Sequence, residues 1–95
     1  MNKSDLAVKL AVQLGISRKE AEAALSITFQ TISDALASGE KVQLTGFGTF
    51  ETKSREARMG RNPRTKESIE IPASTVPVFR AGKALKERID SQEND

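Results

Sequence analysis

Apolar residues recur at helical spacing over positions 1–40 and then switch to strict alternation, a change that divides the chain into a helical part and a β part. Asn2 followed by Asp5 reads as a capping box, and Leu6, Ala7, Leu10, Ala11 and Leu14 keep one face apolar until Gly15 stops the helix. Ser17 with Glu20 forms a second capping box, with Ile16 at the staple position before it. Ala21, Ala24, Leu25, Phe29, Ile32 and Leu36 then trace the stripe of a longer helix ending at Gly39. The prediction is a helical hairpin.

At Val42 the period becomes two. Val42 and Leu44 alternate with Lys41, Gln43 and Thr45 ahead of Gly46-Phe47-Gly48-Thr49-Phe50, which predicts strand, tight turn and strand. Phe47 and Phe50 would face opposite sides of a regular strand, so the glycines are expected to bend the chain and bring both rings inward. The Gly-x-Gly pair is not read as a phosphate cradle, because no helical pattern follows Gly48.

From Lys53 to Glu70 the apolar pattern lapses, with only Ala57, Met59 and Ile69 apolar among Lys53, Arg55, Arg58, Arg61, Arg64 and Lys66. Such a segment buries too little apolar surface to offset its chain entropy and cannot build a core. On an extended strand Lys53 and Arg55 share one face and Ser54, Glu56 and Arg58 the other, with no apolar side for packing. The chain turns near Asn62, Pro63 and Thr65, returns through Ile69 and Ile71, and re-enters the body at Val76, Val78 and Phe79; Pro72 and Pro77 suit edges or bulges. The result is a two-stranded ribbon leaving a globular body. A short last helix carries Ala84, Leu85 and Ile89 inward and Lys83, Lys86 and Arg88 outward. The predicted fold class is therefore α+β in one domain, 1–95: helical hairpin (1–40), three-stranded antiparallel sheet (41–52 and 72–80), arm (53–71), C-terminal helix (81–90) and polar tail (91–95).

With no Cys and no His among 95 residues, a disulfide framework, a Cys/His metal site and histidine acid–base chemistry are all excluded. No motif sets a nucleophile beside a base, so no catalytic residue, metal or cofactor is assigned and an enzyme is set aside. The amino terminus has no continuous apolar h-region and no run approaches the roughly 20 residues that span a bilayer, which leads to the expectation of a cytoplasmic protein without a membrane or small-molecule partner. Net charge is +2, but Lys53 to Arg88 holds ten basic against four acidic residues, a local +6, leaving five against nine, or −4, elsewhere. One positive surface on an otherwise acidic chain is the footprint of a polyanion partner, although a solvated charged face would carry the same pattern.

Without arm and tail, about seventy residues form the body, a size at which one core is marginal. Phe29, Ile32, Leu36, Leu44, Phe47, Phe50 and Phe79 offer more apolar surface than one helical layer on three short strands covers. The helix stripes alone fit ordinary intrachain packing; the whole set points to an interlocked symmetric homodimer.

The blocks Met1-Asn2-Lys3, Gly46-Phe47-Gly48-Thr49-Phe50, Ala57-Arg58-Met59-Gly60-Arg61-Asn62-Pro63 and Val76-Pro77-Val78-Phe79-Arg80-Ala81-Gly82-Lys83, in this order and spacing, closely resemble the bacterial histone-like HU/IHF family over nearly the whole chain. The resemblance implies an intertwined dimer with a helical base, a saddle-shaped sheet and two arms that embrace duplex DNA, each in the minor groove. It implies Pro63 as an intercalating wedge that kinks the duplex, as in other minor-groove architectural proteins. Arg58, Arg61, Asn62, Arg64 and Lys66 would contact groove and phosphates at the arm, while Lys53, Arg55, Arg80, Lys83 and Lys86 line the flanking duplex. The chemistry suits those roles: a narrow minor groove has enhanced negative potential that favours guanidinium groups, and proline has no amide donor to desolvate. Glu51, Glu56, Glu67 and Glu70 could instead pair with arm cations and merely solubilise the ribbon.

One departure lies at the arm turn, where family members commonly carry Gly or Asn and this chain has Lys66; a positive φ there would cost about 1 kcal/mol. The function implied is a non-enzymatic, nucleoid-associated protein that bends and compacts duplex DNA with little sequence preference, favouring bent, nicked or flexible duplex, with RNA as a further polyanion. Two alternatives stay open: a sequence-selective IHF-like subunit, separated by competition between a defined site and random duplex, and a protein–protein interaction module, separated by loss of DNA binding at low salt. Whether the acidic end, Gln92 to Asp95, shields the basic surface is likewise open.

Overall fold

The computed structural model describes residues 1–93. Two helices come first, α1 (Lys3–Leu14) and α2 (Arg18–Ala37), followed by five strands, β1 (Val42–Leu44), β2 (Gly48–Arg55), β3 (Arg58–Arg61), β4 (Ser68–Ile71) and β5 (Ser74–Ala81), and by α3 (Lys83–Glu93). Both expected capping boxes form: Asn2 accepts from the Asp5 amide and Ser17 from that of Glu20, and each acidic side chain accepts the cap residue's own amide in return. Gly15 caps α1 in the left-handed region at φ 68°, where a side chain would be strained. Among the described residues no helix is long and apolar enough to cross a membrane.

The sheet has the order β1-β2-β5 and is antiparallel throughout. β2 lies at its centre, so Pro77 falls on an edge strand, where a residue without an amide proton is tolerated. The Leu44–Phe47 turn is closed by the Phe47 amide on the Leu44 carbonyl, with Gly46 at φ 87°. That bend does what the sequence predicts: the Phe47 and Phe50 rings both pack on Phe79, at centroid distances of 5.4 and 4.8 Å.

Beyond the body the ribbon divides. β3 and β4 form a separate two-stranded sheet, yet Arg55 lies opposite Ser74 and Arg58 opposite Ile71, so the register runs through the two intervening rungs without slipping. Pro72, which has no amide to donate, occupies one of those rungs. The molecule is correspondingly extended, with a radius of gyration of 19.0 Å against about 13 Å for a compact domain of this length.

Several boundaries and faces are corrected. β2 reaches Arg55 and β5 begins at Ser74, so the base of the expected arm is continuous with the body sheet. The last helix starts at Lys83 and runs to Glu93, because Ser91, Gln92 and Glu93 contain no helix breaker. Residues 94 and 95 of the expected acidic tail lie outside the described residues. In the single chain Ile89 and Ala84 are exposed, and Leu85 is half-buried. The arm also has an apolar side after all, supplied by the returning strand: Ile71 and Ile69 lie opposite Arg58 and Gly60, on one ribbon face.

The core is very small. Ala7, Ala11 and Ala21 are the buried apolar residues among those described, with Leu10, Ile16 and Leu25 packed around them. Among the described residues no large side chain is fully buried. Phe29, Ile32, Leu36, Leu44, Phe47 and Phe50 instead line one open apolar trough of about 480 Å³ between α2 and the sheet, with Phe79 stacked beside it.

Candidate nucleic-acid interface

Strand register sorts the basic residues onto faces. Successive β residues alternate sides, so Thr49, Glu51, Lys53 and Arg55 of β2 share the sheet face opposite to Phe50, together with Arg80, Val78, Val76 and Ser74 of β5. Phe50 and Phe79 turn to the helices; Lys53, Arg55 and Arg80 turn away from them. Carried along the unslipped register, Arg61 continues the Lys53–Arg55 side, whereas Arg58 shares the other with Ile69, Gly60 and Ile71. Gly60 makes that close approach possible, since a Cβ there would sit 2.6 Å from Ile71 Cδ1.

The tip is a hydrogen-bonded loop organised by Asn62. Its amide donates to the Glu67 carbonyl at 2.8 Å and its carbonyl accepts from Lys66 at 2.7 Å. Its side-chain Oδ1 accepts the Arg64 amide at 2.9 Å, and the Glu67 amide donates to Thr65 Oγ1 at 3.3 Å. Lys66 takes φ 62°, the only positive φ outside glycine among the described residues, and so carries the strain expected of a lysine at that position. Pro63, Arg64 and Lys66 are exposed on this loop.

Ion pairing separates the arm from the body. Among the described residues none of Lys53, Arg55, Arg58, Arg61, Arg64 and Lys66 lies within salt-bridge distance of a carboxylate, so the solubilising pairs with Glu56, Glu67 and Glu70 do not form. Arg80 is different: it meets Glu51 Oε1 at 3.4 Å, while Glu51 Oε2 lies 3.6 Å from Lys41. Lys83 pairs with Glu87 one turn on, at 3.9 Å, and Lys86 is exposed. Among the described residues every cation of the ribbon is unpaired, whereas the ion pairs that form, at Arg18, Lys41, Arg80 and Lys83, all lie on the body.

The family model for bacterial DNA-binding proteins matches residues 1–90. The chain belongs to this histone-like HU/IHF family. It is 54% identical over 90 residues to DNA-binding protein HU of Clostridium pasteurianum, a match that covers 95% of this chain and 99% of the relative. Among solved structures, an Anabaena HU–DNA cocrystal structure superposes with a TM-score of 0.89 at 47% identity, covering 94% of this chain and 97% of that one. HU from Thermotoga maritima gives 0.66 at 36% identity, covering 94% and 98%.

Within the HU-like frame the sequence reading missed Lys41, and it named Glu51 as a pairing carboxylate without finding that its partners are Lys41 and Arg80. The signal was present in the turn: with Gly46 at the bend and Val42 opposite Phe50, the next rung outward places Lys41 opposite Glu51. Asn62, read first as a DNA contact, spends its side-chain oxygen on the turn, a role signalled by an Asn directly before Pro.

Proposed function

We propose that two copies of the chain pair across the apolar trough and that their arms bind and bend duplex DNA without catalysing a reaction. The unpaired cation set on the projecting ribbon carries this reading. Six basic side chains without carboxylate partners among the described residues are free to neutralise phosphates, and the counterions released in exchange drive association. Pairing is supported by the trough: Phe29, Phe47 and Phe79 are 43, 47 and 42% exposed, an exposure that a single chain of this size does not sustain in water. The names borne by the relatives, DNA-binding proteins HU, support the DNA-binding part.

In this reading each arm enters the minor groove with Arg58, Arg61, Arg64 and Lys66 near phosphates and Pro63 against a base step. Lys53, Arg55, Arg80, Lys83 and Lys86 follow the flanking duplex. Asn62 keeps the tip in shape. Sequence preference is slight, because the minor groove separates A·T from G·C and little else, and the arm carries no helix to read the major groove. Preference goes to nicked, bent or flexible duplex, whose deformation costs less, and the cellular setting is the nucleoid. The test is a salt-dependent binding series on linear, nicked and cruciform duplexes. A steep log–log decline with salt and tighter binding to the distorted forms are expected; absence of binding at low salt would remove the proposal.

A further inference from the structure

On the sheet face turned away from the helices, one carboxylate sits between two cations. Lys41 precedes β1 and falls opposite Glu51 when the Val42–Phe50 register is extended by one rung. Arg80 lies opposite Thr49, diagonally across from Glu51 on the neighbouring strand. The two Glu51 oxygens are divided between them, at 3.6 Å from Lys41 Nζ and 3.4 Å from an Arg80 guanidinium nitrogen. The Glu51 side chain is 21% exposed, against 62% for Lys41 and 75% for Arg80. The anion is thus set into the sheet and the cations stand over it, with Gln43 and Thr49 completing a polar cleft of about 270 Å³.

This arrangement affects how the body meets DNA. A cation already neutralised by a carboxylate neutralises less phosphate charge and so releases fewer of the cations condensed on the duplex, and the carboxylate left beneath repels an arriving phosphate. The arm cations carry no such partner among the described residues. We infer that Glu51 masks Lys41 and Arg80 and thereby limits how far along the flanking duplex the protein holds DNA. The inference rests on the DNA-binding reading above and adds a residue that weakens the outer contacts while leaving the arm contacts intact.

The experiment is a salt-dependent binding titration of the full-length protein, Glu51→Gln, Lys41→Met and the double variant. Two duplexes are used, one of ~12 base pairs, about 40 Å at ~3.4 Å per base pair, and one of ~36. On the long duplex Glu51→Gln should tighten binding several-fold at low salt and steepen the log–log slope by about 1–2, since each unmasked cation adds about 0.9. The short duplex should register little change. Lys41→Met should cost little in the parent protein and several-fold in the Glu51→Gln background, a non-additivity that a uniform effect of net charge would not produce.

Equal gains on both duplexes would reduce the effect to net charge and overturn the inference. Unchanged or weaker long-duplex binding by Glu51→Gln would also overturn it, the latter by showing that the carboxylate props the cations up. Failure of the parent protein to bind either duplex would instead fell the DNA-binding reading, and this one with it.

Discussion

The ring of Phe79 crosses Gly48 so closely that a Cβ on Gly48 would lie 2.5 Å from its Cζ. The ring cannot swing clear, because it also packs in tilted contact with Phe47 and Phe50. The Arg80 carbonyl, 2.7 Å from the same point, closes the other side. Gly48→Ala should therefore destabilise the fold by about 1–3 kcal/mol through overpacking. Urea unfolding at fixed protein concentration checks this as a lower midpoint at unchanged slope.

The α2 capping box predicts a pH dependence. Hydrogen bonds from the Ser17 backbone amide, and then from its hydroxyl side, hold the Glu20 carboxyl below its ordinary value of 4.5. A depressed carboxyl contributes stability that is present above 4.5 and is lost as the pH falls through the lower folded value. Glu20→Gln should remove that component, so its melting temperature should fall less steeply than the parent's below pH 4.5 while the two curves run parallel above it.

At the arm tip, Lys66→Gly relieves the left-handed lysine and should stabilise the loop by about 0.5–1 kcal/mol. Amide exchange at Asn62 and Lys66, whose hydrogen bonds close the loop, should slow about two- to fivefold while global melting stays put. The same change removes one cation and should lower the salt slope of DNA binding by about 1.

Pro63 and Arg61 should separate bending from affinity. Pro63→Ala should reduce the bend of an end-labelled duplex, read by energy transfer, more than it reduces affinity. Arg61→Ala should do the reverse, weakening binding and lowering the salt slope by about 1. Identical bending by the Pro63→Ala variant and the parent would take Pro63 out of the mechanism.

Much of the architecture was legible because local chemistry and fold agree. The capping boxes at Asn2 and Ser17, the Gly15 stop and the switch of period at Val42 are each written in a few adjacent residues, and the helices and strands follow them. The arm's apolar side was missed because Ile69, Gly60 and Ile71 come together only once two strands are paired in register. The Lys41–Glu51–Arg80 cluster joins β2, β5 and the residue just before β1 and was hidden for the same reason. The end of α3 was misplaced because polarity at 91–93 was read as a tail, although polarity alone does not stop a helix.

The unslipped register offers the most direct test of the arm's role. Because Arg55 and Ser74 face each other, residues 56–73 can be replaced by an Asn-Gly turn that closes a two-residue hairpin on the remaining sheet. The trough-forming residues are untouched, so the truncated chain should sediment as the same pair as the parent. Its affinity for linear duplex in ~0.1 M salt should fall on the order of a hundredfold, with a markedly shallower salt slope. A truncated pair that bound and bent duplex as the parent does would contradict the account.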